Sequence, residues 1–118
     1  MAQGTGIIEY LEAGLRATTL RQAAVANNIA NMATPGYRRA VLPFEGVFAD
    51  AMEAGKPIDP REVAARILRP ATDPLNEHGN DVELDREVAD LVRNSVLYKT
   101  YMRVLNRTYR QMELAIQT

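Results

Sequence analysis

The chain has 118 residues, a formal net charge of −1 and 47% hydrophobic residues. That bounds it to one domain at most and removes any global electrostatic pull toward nucleic acid or an anionic membrane surface. Cysteine and tryptophan are absent and phenylalanine occurs only twice, which excludes disulfides, thiolate metal sites and cysteine nucleophiles together and leans toward a helical, elongated protein over a compact enzyme core.

The first residues, MAQGTGIIEYLEAGLR, carry no basic n-region, no continuous apolar h-region and no small-residue cleavage site, so no cleaved signal peptide is expected. No apolar run approaches the length of a membrane span. Ile8, Leu11, Leu15, Thr18, Gln22, Val25, Ile29 and Met32 then recur in alternating steps of three and four. This spacing places a narrow stripe along one helix face and predicts an N-terminal helix over residues 1–33. Thr34-Pro35-Gly36-Tyr37 stops it, because Pro35 pushes Thr34 out of the α region and Pro-Gly suits the two central positions of a type II turn.

Residues 34–80 read as a mostly irregular insert. Arg38 to Pro43 is extended chain. Phe44 to Ala54 is a short helix with Phe44, Val47, Phe48 and Met52 on one side. Asp59-Pro60-Arg61-Glu62 looks like a helix start with Asp59 as N-cap, running to about Leu68. Pro70 to Asn80 is rich in Pro, Asn, Asp and Gly and reads as an exposed loop. A second long helix follows within residues 81–118, from about Asp85 to Ala115. Leu84, Val88, Leu91, Ser95, Tyr98, Met102, Leu105, Tyr109, Met112 and Ile116 form its seam. Acids gather at its start, where they suit the helix dipole, and Arg93, Lys99, Arg103, Arg107 and Arg110 follow. The fold class is therefore all-α: two long terminal helices packed as an antiparallel coiled-coil-like hairpin. Such a hairpin has little core of its own, and the insert adds little. Stability is expected to come partly from neighbouring subunits.

No constellation for chemistry emerges. His78 is the only histidine and Ser95 the only serine; the first lies in a loop and the second on a helix seam, a place for a small packing residue. The carboxylates Asp81, Glu83, Asp85 and Glu87 are dense near His78, but Asp73-Pro74-Leu75-Asn76-Glu77-His78-Gly79 fails calcium-loop spacing, and the acids read as a solvated helix start. The glycines form no phosphate-binding fingerprint. A basic face with nearby tyrosines is usually solvated or paired with acids on another subunit, so neither nucleic acid nor a small-molecule substrate is expected, and no cofactor or metal. What remains is association. Asn27 and Asn31 share a helix face with Asn28 beside them, although asparagine is a poor helix former. Either a fraying helix end tolerates them, or their amides bond laterally between packed subunits.

The run Ala26-Asn27-Asn28-Ile29-Ala30-Asn31-Met32-Ala33-Thr34-Pro35-Gly36-Tyr37-Arg38-Arg39 closely resembles the N-terminal signature of bacterial flagellar rod and hook proteins. Gly79-Asn80-Asp81-Val82-Glu83-Leu84-Asp85-Arg86-Glu87, with Ala89-Asp90-Leu91, Asn94 and Tyr98, is similar to a stretch of proximal rod subunits of the FlgB type. The FlgC type is the near alternative, and a small helical adaptor or chaperone is the alternative outside the family. The resemblance covers both ends well and residues 40–78 poorly. It implies a structural subunit, not an enzyme, whose terminal helices polymerise into the tubular, periplasm-spanning rod of the basal body that transmits motor torque. It implies export through the flagellar type III apparatus, with Phe44 and Phe48 matching the short motif read by the export gate. Implied partners are other rod subunits, copies of itself, and basal-body ring and export-gate proteins. The implied subunit-packing residues are Leu11, Leu15, Val25, Asn27, Asn28, Ile29, Asn31, Leu91, Tyr98, Met102, Leu105, Tyr109 and Met112, with Thr34, Pro35, Gly36 and Tyr37 forming the turn.

Overall fold

A computed structural model of the protein describes residues 3–117. Four helices run in the order α1 (Gln3–Ala30), α2 (Glu45–Ala54), α3 (Pro60–Ala64) and α4 (Leu84–Gln117). The described residues contain no strand; one isolated antiparallel bridge joins Val41 to Leu68. The molecule is a rod of about 64 × 26 × 16 Å, a length set by α4, since 34 residues at about 1.5 Å each span roughly 50 Å.

The long helices pack antiparallel. Gly14 faces the Tyr101 ring, Thr18 faces Asn94, and Asn28 faces Glu87. A Cβ added at Gly14 would overlap the Tyr101 ring, so the absent side chain is what lets the two helices approach there.

The seams differ from their expected register. On α4 the line that turns toward α1 is Glu87, Asn94 and Tyr101, with Leu105 as its only member from the expected seam. The apolar line expected inside lies largely outside: Leu84 is 46% exposed, Val88 43%, Tyr98 37%, Tyr109 44%, Met112 46% and Ile116 84%. On α1, Leu11, Thr18 and Val25 are buried as the spacing predicts, while Leu15 and Ile29 are half-buried and Met32 is exposed. The physical reason is that the intramolecular contact is made by small and polar groups that close to hydrogen-bonding distance, with Asn94 Nδ2 donating to the Thr18 carbonyl at 2.7 Å and to Gln22 Oε1 at 2.9 Å.

A second correction concerns the insert, which supplies most of the core. Leu42, Phe44, Val47, Phe48 and Val63 bury against Ala13 and Ala17 of α1, with Ile58 and Leu97 packed at the edge. The small residues on that side of α1 open room for the phenylalanines. Each large side chain so buried stabilises by roughly 1.5–3 kcal/mol relative to exposure. The hairpin is thus wedged by residues 42–63, and the expectation of a nearly coreless chain is overturned by this cluster.

Local signals are realised where they act locally. Pro35 and Gly36 form the turn: Gly36 has φ 76°, and the Tyr37 amide donates to the Thr34 carbonyl at 3.3 Å, as a type II turn requires. Asp59 caps α3 by accepting from the Arg61 amide at 2.9 Å. That helix ends at Ala64 instead of reaching Leu68, because the Leu68 backbone is taken by the pairing with Val41 at 2.9 and 3.0 Å.

Candidate functional site

The two signature segments meet in one buried polar joint where α1 ends and α4 begins. Asn28 is fully buried and uses its whole side chain. Nδ2 donates to the Ala40 carbonyl at 2.8 Å and to Glu87 Oε1 at 2.9 Å. Oδ1 accepts from the Ala40 amide at 2.8 Å and from the Tyr37 hydroxyl at 3.0 Å. An asparagine that would weaken an exposed helix here ties the helix to the returning chain, since a buried amide is tolerable only when its donors and acceptors are met.

Glu87 is likewise fully buried. Its other oxygen accepts from Arg39 Nε at 2.7 Å, and the same guanidinium reaches Asp90 at 3.2 Å. The Arg39 amide donates to Asp81 Oδ1 at 2.6 Å. Asp81 Oδ2 has Arg38 Nη1 at 3.9 Å. Arg39, Asp81 and Glu87 are thus buried together, with Arg38 and Asp90 at the solvent edge of the cluster. Isolated, any of these charges would be very costly to bury; paired and hydrogen-bonded, they lock one geometry.

Asn80 performs a different task. Its Nδ2 donates to the carbonyls of Asn31 at 2.9 Å, Met32 at 3.3 Å and Thr34 at 2.9 Å. These carbonyls belong to the turn that follows α1. Its Oδ1 accepts from the Val82 amide at 2.7 Å, aiming the chain into α4. Beside it Gly36 and Gly79, both with positive φ, lie back to back, and the Gly36 amide donates to the His78 carbonyl at 2.9 Å. A residue 46 positions downstream of Thr34 thus holds the turn that follows α1.

The expected site residues fall into three groups. Leu11, Val25, Asn28 and Leu105 are buried within the chain's own hairpin. Leu15, Ile29, Asn31, Tyr37, Leu91 and Met102 are half-buried along its edges. Asn27, Thr34, Pro35, Gly36, Tyr98, Tyr109 and Met112 are exposed. Asn31 bonds locally, Nδ2 to the Asn27 carbonyl at 2.9 Å and Oδ1 from Thr34 Oγ1 at 3.1 Å. Phe44 and Phe48 are 1% and 8% exposed, their ring centroids 5.0 Å apart, with the Arg21 guanidinium 4.1 Å above Phe44. Arg21 also holds Glu45 at 2.6 Å. Burial alone pushes the Glu45 carboxyl up, but the hydrogen bond and charge of Arg21 prevail and hold it below its ordinary value.

Sequence reasoning missed Arg39, Asn80, Asp81, Glu87 and Asn94 as members of a joint. The available signal was the density of polar residues in both signature segments. Their partners lie 42–76 residues apart, beyond the reach of periodicity.

Among the described residues no group of His, Asp or Glu is placed to hold a metal, and no helix is long and apolar enough to cross a membrane.

Comparison with known proteins agrees with this geometry. A family profile described as "Flagella basal body rod protein" matches residues 8–38, which hold most of α1 and the turn. Flagellar basal body rod protein FlgB of Bacillus subtilis is 25% identical over 126 residues, spanning 98% of this chain and 97% of the relative. FlgB of Yersinia enterocolitica is 26% identical over 129 residues, spanning 95% and 94%. FlgB of Escherichia coli is 25% identical over 128 residues, spanning 94% and 93%. The match runs through the poorly patterned middle as well as both ends. With both signature segments, the helical hairpin and this end-to-end similarity, the chain is similar over nearly its whole length to flagellar basal body rod proteins FlgB.

Proposed function

We propose that this protein is a subunit of the proximal rod that polymerises, with copies of itself and with other rod subunits, through the outward faces of its terminal helices. In this reading it forms part of the periplasm-spanning shaft that transmits motor torque and contacts basal-body ring proteins at its base. One observation carries the proposal. The chain has its own core and its own helix–helix joint, yet leaves Leu84, Val88, Tyr98, Tyr109, Met112 and Ile116 of the α4 seam exposed. So many large apolar side chains left outside along one helix mark an interaction site. The polar joint then has a mechanical role: it fixes the two helices relative to each other, so that the outward faces present a single rigid shape.

Export through the flagellar type III apparatus belongs to the same reading, with Phe44 and Phe48 read by the export gate. Both rings are buried in the fold, so the gate would read them before folding or after unfolding.

The test is a pair of outward substitutions. Met112→Asp and Ile116→Asp should leave the unfolding free energy within about 0.5 kcal/mol of wild type, as is usual for exposed positions. Cells relying on the variant should lose motility, and the variant should be missing from purified basal bodies. Normal motility with full incorporation of the doubly charged variant would count against the reading.

A further inference from the structure

We infer that copies of this chain pack side by side with the same polarity and at nearly the same height, the outer ridge of α4 on one copy lying on the outer ridge of α1 on the next. This deepens the rod-subunit reading and rests on it.

The α4 ridge has two halves. Val88, Val92 and Val96 follow at four-residue steps and are 43%, 58% and 59% exposed. By helical period they lie roughly opposite Glu87, Asn94 and Leu105, which face α1. Lys99, Arg103, Arg107 and Arg110 continue the ridge, all exposed. Among the described residues none of these four bases is in an ion pair of its own chain.

The α1 ridge has the complementary two halves. Thr19, Ala23, Ala26 and Ala30 are exposed small residues, roughly a third of a turn from the line that faces α4. Toward the N-terminus the same side carries Glu9, exposed, and Glu12, half-buried. Neither is in an ion pair among the described residues; Glu12 accepts only a 3.3 Å hydrogen bond from the Tyr109 hydroxyl.

Heights decide the register. Asn94 bonds Thr18 and Gln22, so Val92 and Val96 stand level with Ala23 and Thr19. Tyr101 against Gly14 and Tyr109 against Glu12 put Arg103 and Arg107 near the level of Glu12 and Glu9. Two unshifted copies side by side therefore set bulky valines on small residues and free bases on free acids at once. Arg16, the base nearest this register on α1, shares with Thr19 the cleft lined by Ile58, Pro60 and Val63, at the edge of this contact. An antiparallel face-to-face pairing would stack valines on valines and leave Glu9 and Glu12 unused. The contact is heterologous, each copy using α4 toward one neighbour and α1 toward the other, and such contacts generate rings or helical assemblies.

The chain has no cysteine, so introduced thiols report this contact without background. Full-length chains carrying Val92→Cys and Ala23→Cys are co-expressed in cells building flagella, and basal bodies are purified after oxidation. The inference predicts a mixed 92–23 disulfide. Arg103→Glu with Arg107→Glu should lower its yield about tenfold, because two charge pairs become repulsive, and Glu9→Arg with Glu12→Arg on the other chain should restore it. A 92–92 adduct alone, or basal bodies that contain the chain without any mixed adduct, would overturn the inference and leave the rod reading standing. Chains absent from basal bodies altogether would overturn both.

Discussion

Glu87→Ala is expected to destabilise the folded chain by about 3–5 kcal/mol, a large share of the stability of a domain this size. The carboxylate is fully buried and holds two partners, Arg39 at 2.7 Å and Asn28 at 2.9 Å. Removing it leaves a guanidinium that is 9% exposed, with only Asp90 at its far nitrogen, and an asparagine amide with one donor unmet. The cost is that of stranded groups, not of one lost contact. It follows that Glu87→Ala combined with Arg39→Ala should cost less than the sum of the two single changes, because the second removes the charge that the first strands. Urea unfolding of the four chains measures this. A Glu87→Ala cost below about 1 kcal/mol would mean that the joint is not closed to water, since exposed pairs contribute no more than that.

Phe44→Ala carries the second large effect, about 3–5 kcal/mol from lost transfer energy and the cavity left behind. Phe44 sits at the start of α2, 1% exposed, and it fastens three parts of the molecule. Its ring meets Phe48, lies under Arg21 of α1, and belongs to the cluster that includes Val63 of α3. Without it the insert loses its principal anchor on α1, while the joint at Glu87 remains. Hydrogen exchange should then show residues 42–63 losing protection more than the start of α4. Equal loss across the whole chain would show that insert and hairpin unfold as one unit.

Much of this fold is legible in the sequence where the cause is local. The Pro-Gly turn, the Asp59 cap and the extents of α1, α2 and α4 follow from residues a few positions apart, and the structure places them within a few residues of expectation. The register of the hairpin is not legible in the same way. Apolar periodicity identifies the most apolar line of a helix, and the usual inference takes that line to face the chain's own core. In α4 it does not, since Glu87 and Asn94 face inward while Leu84, Val88 and Tyr98 are exposed. A protein whose surfaces are completed by neighbours separates the two meanings of an apolar line.

The joint was hidden for a different reason. Asn28, Arg39, Asn80 and Glu87 stand in the segments that carry the family resemblance, but the bonds that tie the two segments together span 42 to 59 residues, and spacing rules hold no information about such pairs. The core was underestimated because Leu42, Phe44 and Val63 come from a stretch without a long period. They become a cluster only when small residues of α1 make room for them.

One claim is central: the apolar face of α4 is surface in the free chain and interior in the basal body. A single thiol tests it most directly. Met112→Cys gives a chain with one cysteine, at a position 46% exposed in the folded molecule. Reaction with a water-soluble maleimide should be fast for the purified, folded chain and strongly suppressed in intact basal bodies, returning when they are dissociated. Equal reaction in the free chain and in intact basal bodies would contradict the claim.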